Sequence, residues 1–206
     1  MVWFTQLLYY GTAWLPYNGR QAFLFDLESR RFFLGPLVFY PQDFIYLTGL
    51  LVIAALSLFL FTAVAGRLWC GYACPQTVYT EIFMWFERLC EGDRNDRLRL
   101  ASGPWNLNRI RRTGAKQIAW ALFAFWTGFT FVGYFTPIRD LWTELAAFRV
   151  NGWELFWIGF YSLATYANAG FMREQVCKYM CPYARFQGAM FDKDTLLVTY
   201  NEARGE

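Results

Sequence analysis

The stretch that decides the fold is FIYLTGLLVIAALSLFLFTAVAGRLWCGYACP, residues 44–75. Its first 22 residues carry no charge, and a helix needs roughly 20 apolar residues to cross the hydrocarbon core of a bilayer. A glycine and an arginine follow, and then the pattern Cys-x-x-x-Cys-Pro. The stretch therefore predicts a membrane-spanning helix that ends directly before a pair of thiols.

The rest of the chain repeats this plan. The second Cys-x-x-x-Cys-Pro pattern, at 177–182, again follows an uncharged run, 155–172, and a further uncharged run covers 118–138. We call residues 70–75 the first cysteine frame and residues 177–182 the second. Each frame precedes a short helix opened by proline, so the chain contains a weak internal repeat.

Composition supports a membrane protein. Of the 206 residues, 56% are hydrophobic, 22% are aromatic and only 17% are charged, whereas soluble domains carry about 25% charged residues. We therefore predict an all-α, polytopic transmembrane helical bundle with three to four spans. Its spans are expected near 44–65, 118–138 and 155–172 in a membrane redox domain over 44–196. A core of buried helices in a soluble protein is the alternative.

The two ends and the first loop complete the predicted domains. Residues 1–19 form a partial or short first membrane helix, with a short interfacial helix as the alternative. Residues 20–43 form a periplasmic loop in which LFDLE (24–28) and RRFFL (30–34) are candidate short strands. Residues 197–206 are expected to begin a linker, which by the family resemblance given below leads to a ferredoxin domain that the chain does not contain.

Basic residues predict the orientation. Eight of them crowd into 88–116, and only Arg139 and Arg149 lie in 137–152. Because cytoplasmic loops collect Lys and Arg, 88–116 is expected inside. Both cysteine frames then lie on the cytoplasmic side. The short basic patch beside a membrane is a topology signal, and we expect no binding to nucleic acid.

The cysteines are the candidate site. The chain has five cysteines and no histidine, which excludes bis-histidine haem, imidazole zinc sites and histidine acid–base chemistry. Four interpretations of the frames stay open: a structural disulfide, inert buried thiols, a zinc or copper site, and an iron–sulfur or redox centre. The ferredoxin run C-x2-C-x2-C-x3-C-P ends in the same pattern. The fifth cysteine, Cys90, lies outside the pattern and is interpreted as packing.

Longer stretches carry a family resemblance. GRLWCGYACPQTV (66–78), FERLCEGDRN (86–95), TGFTFVGYFTPIR (127–139) and NAGFMREQVCKYMCPYARFQGAMFDKDTL (168–196) closely resemble cytochrome c oxidase accessory proteins of the CcoG/FixG/RdxA type. The resemblance implies a multi-pass protein of the bacterial inner membrane. It implies electron transfer through 4Fe–4S iron–sulfur centres in support of cbb-type oxidase assembly. It also implies reduction of Cu(II) to Cu(I), which would make the chain a cupric reductase.

The resemblance also assigns residues and partners. The cofactor-binding and metal-binding candidates are Cys70, Cys74, Cys177 and Cys181, and no catalytic residue is assigned. Copper is expected as substrate or ligand. Expected partners are the lipid bilayer, oxidase subunits or copper chaperones, an unidentified electron donor and a second copy in a homodimer. The alternatives are a non-redox copper-binding assembly scaffold and, more weakly supported, a transporter.

Overall fold

The structure is a computed structural model that describes residues 2–103, 106–196 and 204. The predicted linker at 197–206 lies outside the described residues, apart from position 204. The described helices are α1 (Val2–Trp14), α2 (Phe44–Ala65), α3 (Leu68–Tyr72), α4 (Pro75–Glu91), α5 (Arg94–Ser102), α6 (Leu107–Val132), α7 (Ile138–Ala146), α8 (Gly152–Thr165) and α9 (Pro182–Met190). Two π-helices follow α8, at Tyr166–Met172 and Val176–Met180.

Two small sheets lie between α1 and α2. Strands β1 (Pro16–Tyr17) and β2 (Arg20–Gln21) form one hairpin. Strands β3 (Phe23–Asp26), β4 (Arg31–Leu34) and β5 (Leu37–Phe39) form an antiparallel meander. The candidate strands at 24–28 and 30–34 therefore match β3 and β4. A backbone hydrogen bond from Phe25 to the carbonyl of Tyr134, at 2.8 Å, attaches the meander to the end of α6.

The prediction of an all-α bundle with three to four spans is wrong. Among the described residues, a single helix, Pro41–Ala65, is long and apolar enough to cross a membrane, judged by length and composition. The two antiparallel sheets also contradict an all-α fold. The helix predicted over 44–65 is confirmed as α2, and its side chains are mostly exposed.

The other uncharged runs fail as spans because they do not coincide with helices. The run 118–138 begins inside α6, whose first half is basic, and that helix already ends at Val132. The run 155–172 is divided between the 14-residue α8 and the first π-helix. At 1.5 Å per residue, α8 extends only about 21 Å and the 13-residue α1 about 20 Å. A bilayer core is about 30 Å thick.

The core has two parts, both built around α6. One cluster joins α1, α6, α7 and α8 through Ala13, Phe129, Val132, Ile138, Leu141 and Ile158. The other joins α4, α6 and the first π-helix through Phe83, Trp120, Ala124 and Ala169. In the second cluster the Trp120 indole donates a 3.1 Å hydrogen bond to the Phe83 carbonyl. This second cluster holds α4 against the segment that leads to the second cysteine frame.

Gly128 sets the closest approach of α6 to α8. A Cβ at this position would lie 2.8 Å from both the Ile158 carbonyl oxygen and the Ser162 backbone nitrogen. These are backbone atoms, which cannot rotate away. The absence of a side chain at Gly128 therefore allows α6 and α8 to pack closely.

Replacing this glycine is expected to destabilise the chain. Gly128→Ala would force α6 and α8 apart, at a cost of about 1–3 kcal/mol, typical of overpacking. The melting temperature in detergent should fall by several degrees. Gly159→Ala is the control, because a Cβ there meets no atom within 4 Å. Equal melting temperatures for the two variants would contradict the close approach.

Candidate functional site

Each cysteine frame places its two thiols in the same local geometry. Cys70 lies in α3 and Cys177 in the second π-helix. Cys74 and Cys181 are the N-cap residues of α4 and α9, with extended ψ angles of 125° and 110°. The following prolines cause this conformation, because proline disfavours the α region for the residue before it. Each frame is therefore a short helical turn that stops at the N-terminus of a longer helix.

The four thiols of the two frames meet at one cavity. This four-cysteine cavity has a volume of about 780 Å³ and is lined by Cys70, Cys74, Cys177 and Cys181, together with Arg67, Glu174, Lys178 and Arg185. Three of its charged lining residues are basic and one is acidic. Basic side chains at the rim favour an anionic occupant. All four candidate residues named from the sequence are thus brought together.

The thiols influence one another electrostatically. Burial raises the pKa of the Cys70 thiol, and the neighbouring thiols of Cys74, Cys181 and Cys177 raise it further. Desolvation likewise raises the pKa of the Cys177 thiol, and its neighbours Cys74, Cys181 and Glu174 raise it further. Without a metal, these two thiols therefore hold their protons at neutral pH. Metal ligation requires thiolates, so occupation of the cavity would release protons.

The donor set and the size of the cavity fit a 4Fe–4S cluster. Such clusters are held by four cysteine thiolates. A single zinc or copper ion needs its sulfur ligands about 2.3 Å from the metal. Within the described part of the chain, no group of three or more Cys, His, Asp or Glu residues is arranged to hold one metal ion. The two frames therefore supply the four thiols that a 4Fe–4S cluster requires, and the described residues form no site for a single metal ion.

The helix that follows the second frame docks on the end of α2. The Tyr183 hydroxyl of α9 hydrogen-bonds to Thr62. The Gln187 side-chain amide donates a 3.0 Å bond to the Gly66 carbonyl, and the Thr195 hydroxyl donates a 2.9 Å bond to the carbonyl of Ala63. These bonds hold the second half of the chain against the helix that leads into the first frame.

The helix that follows the first frame, α4, contacts the segment that leads into the second frame. The Gln76 amide of α4 donates to the carbonyls of Asn168 and Arg173, at 2.9 and 3.2 Å. The neighbouring Thr77 hydroxyl donates a 2.6 Å bond to the Cys70 carbonyl within its own frame. Each half of the repeat therefore binds the helix end of the other half, and this exchange brings the frames together.

A buried carboxylate reinforces the contact. Glu87 of α4 is 5% exposed and accepts hydrogen bonds from Arg97 at 2.6 Å and from Arg173 at 2.5 Å. Arg173 adopts a positive φ of 38° and also donates to the Gly170 carbonyl. Three charged residues precede the frames in the sequence, namely Arg67, Arg173 and Glu174. Arg67 and Glu174 do line the four-cysteine cavity, whereas Arg173 instead bridges to Glu87.

Sequence reasoning missed Gln187. Its side chain is 4% exposed, and its Oε1 accepts a 3.9 Å hydrogen bond from the Cys70 thiol while its amide donates to Gly66. A glutamine on the second short helix was the available signal, since a buried amide needs specific partners. Cys90 does not take part, because it lines a separate cavity with Arg111 and Arg112.

Comparison with protein families supports an iron–sulfur cofactor. The family model described as "4Fe-4S binding domain" matches residues 47–90, which include the first cysteine frame. The model described as "4Fe-4S dicluster domain" matches residues 172–206, which include the second. The two matches independently point to the cofactor type that fits the four-cysteine cavity.

Three curated relatives are similar along nearly the whole chain. They are the nitrogen fixation protein FixG of Rhizobium meliloti (45% identical over 204 residues) and the proteins RdxB (43%) and RdxA (42%) of Cereibacter sphaeroides. Each alignment covers 97% of this chain and 39–44% of the relative, so the chain spans about two fifths of their length. No solved structure matches the chain. Over nearly its whole length, the chain is thus similar to proteins of the FixG/RdxA type.

Proposed function

We propose that the chain is the membrane part of an iron–sulfur electron-transfer protein that supports assembly of a cbb-type cytochrome oxidase. The observation that carries the proposal is the convergence of four cysteines, from two distant frames, on one cavity. The 4Fe–4S family matches over both frames support it, as does the similarity to FixG and the Rdx proteins.

In this proposal Cys70, Cys74, Cys177 and Cys181 are the ligands. A 4Fe–4S cluster, when bound, supplies a centre that accepts and releases one electron at a time. Before a cluster binds, Gln187 holds Cys70 in position by accepting a hydrogen bond from its thiol, and ligation would remove that proton. The basic residues at the rim reduce the cost of placing an anionic group there. Cys177 is the exposed member of the set, so it marks the side from which a redox partner approaches.

The cysteine face is proposed to lie on the cytoplasmic side of a bacterial inner membrane. The basic segment 88–116 supports this orientation through the positive-inside rule. A soluble electron donor would then reach the site from the cytoplasm. Oxidase subunits or copper chaperones would receive its product, and a second copy of the chain would complete a homodimer.

The substrate is proposed to be Cu(II), which takes one electron and becomes Cu(I). The chain loses one electron for each copper ion reduced, and an external donor restores it. This reaction makes the chain a cupric reductase in the service of the oxidase copper site.

Anaerobic electron counting tests the proposal. The chain is reduced with dithionite, freed of excess reductant on a desalting column and mixed with Cu(II) and a Cu(I)-specific chelator. We expect one Cu(I) for each electron that the chain loses. The visible absorbance should return to that of the oxidised chain at the same rate as Cu(I) forms. Cys90→Ser should behave like the parent chain, whereas any Cu(I) that Cys181→Ser produces should come from its free thiols, without the change in visible absorbance. Copper that binds without any change in absorbance would instead support the non-redox scaffold.

A further inference from the structure

A second cavity lies at the opposite end of α8 from the second cysteine frame. It has a volume of about 670 Å³ and shares no lining residue with the four-cysteine cavity. The β3–β4 turn, the end of α6 and the start of α8 enclose it. We call it the aromatic cavity, because its wall includes Phe131, Phe135, Trp153, Trp157 and Tyr161.

The aromatic rings form a connected wall. The centroids of Phe131 and Tyr161 are 4.1 Å apart, and Phe131 and Phe135 are 5.4 Å apart. Trp157 stacks on Tyr161 at 5.7 Å with an interplanar angle of 26°. Trp157 is 42% exposed and Trp153 is 70% exposed, so ring surface is available to a ligand. Aromatic faces carry negative electrostatic potential, which attracts cations.

Glu154 adds a carboxylate to this wall. Its Oε1 accepts a 3.0 Å hydrogen bond from the Thr136 hydroxyl. Its Oε2 is buried and has no hydrogen-bond partner among the described residues. The position in the first turn of α8 suits a negative charge, but the helix supplies no donor to Oε2. A buried oxygen without a partner is costly, and native structures rarely keep one without a reason.

The aromatic cavity otherwise has no positive group to meet this charge. Its charged lining residues are Asp26, Glu28 and Glu154, and no described Lys or Arg lines it. The Asp26 carboxylate is already engaged, because it accepts hydrogen bonds from the Ser29 hydroxyl and from the backbone of Glu28 and Ser29. Glu28 is exposed to water, so the buried acceptor that lacks a partner is Glu154 Oε2, beside a wall of aromatic rings.

We propose that the aromatic cavity binds an organic ammonium group. The ammonium charge would pair with Glu154, and its carbon substituents would pack on Trp157, Tyr161 and Phe131. This combination of a carboxylate and aromatic faces is typical of sites for quaternary ammonium ligands. A bare calcium or magnesium ion fits less well, because such ions require about six oxygen ligands. The group belongs either to a lipid headgroup or to a free amine, and both present the same chemistry.

Titration with tetramethylammonium chloride tests the inference. The full chain is placed in nanodiscs of phosphatidylglycerol, and binding is measured by calorimetry at constant ionic strength. A titration with sodium chloride serves as the reference. We expect saturable binding that is at least ten-fold weaker in Glu154→Gln and in Trp157→Leu. Glu144→Gln is the matched control, because it removes the same charge from an exposed residue of α7 outside the cavity.

Further measurements check the fold of the variants and the source of the ammonium group. Far-UV circular dichroism and the iron content should be equal in the parent, Glu154→Gln and Glu144→Gln, so failure here is distinct from failure of the redox proposal. No saturable binding, or equal binding by the two glutamine variants, overturns the inference. Phosphatidylethanolamine retained by the parent in native mass spectrometry, but not by Glu154→Gln, would identify a lipid headgroup. Binding of the probe without such retention would identify a free amine.

Discussion

A chain that carries both Cys74→Ser and Cys181→Ser is expected to be isolated without iron or inorganic sulfide. The parent chain, purified anaerobically in detergent, should hold about four of each, as in a 4Fe–4S centre. The variant removes one thiolate from each frame, and two remaining thiolates cannot complete the four-cysteine coordination. Absorbance, electron paramagnetic resonance, and iron, sulfide and copper analyses provide the measurement.

Cys90→Ser is the control for this experiment. Cys90 is a half-buried thiol that lies outside the four-cysteine cavity, so its loss should leave the iron content unchanged. Iron retained by the double variant would show that the frames do not hold the cluster. A parent chain that takes up no iron under reconstituting conditions would leave the four thiols to copper or thiol chemistry.

The largest expected loss of stability follows from Phe83→Ala. Phe83 is fully buried and packs against Trp120, Ala124 and Ala169. Truncation of a buried phenylalanine costs about 3–5 kcal/mol, because it leaves a cavity as well as removing apolar contacts. For a chain of this size the melting temperature should fall by about 6–20 °C. Since Phe83 holds α4 against the first π-helix, iron content should fall as well.

Phe156→Ala is the matched control for Phe83→Ala. It makes the same substitution at a ring on α8 that is 55% exposed. More than half of its surface stays exposed in the described structure, so a change of about 1 kcal/mol or less is expected. Melting curves of both variants, recorded in one detergent, provide the comparison. Similar melting temperatures would show that the Phe83 cluster does not hold the two halves together.

The site was more predictable from sequence than the fold. Identical spacing of Cys70–Cys74 and Cys177–Cys181 revealed the pairs, because such spacing is local and readable. The docking contacts of Gln76, Gln187 and Glu87 were not predictable, since each depends on a partner about ninety to a hundred and twenty residues away. Long-range hydrogen bonds leave no periodic pattern in a sequence.

The fold prediction failed where uncharged runs were equated with helices. Gly133 and Pro137 allow the chain to turn between α6 and α7, so the apolar run at 118–138 is not one helix. The spacing of Val78, Ile82, Trp85, Phe86 and Leu89 predicts one apolar face for α4, and the structure matches this face only in part. Val78 and Ile82 are buried as expected, whereas Leu89 is 68% exposed. Phe83, adjacent to the predicted stripe, became the centre of a core cluster because Trp120 covers it.

The exchange of helix ends between the two halves has a consequence for biosynthesis. The Cys70 thiol meets Gln187, its hydrogen-bond partner 117 positions later. Ribosomes add about 5–20 residues per second, so the first pair of thiols emerges roughly 6–25 s before its surroundings exist. During that interval the nascent segment is open to oxidation and to adventitious metals. With the proposed ligation by all four thiols, cofactor insertion would follow translation of the second half, when a single step can engage them together.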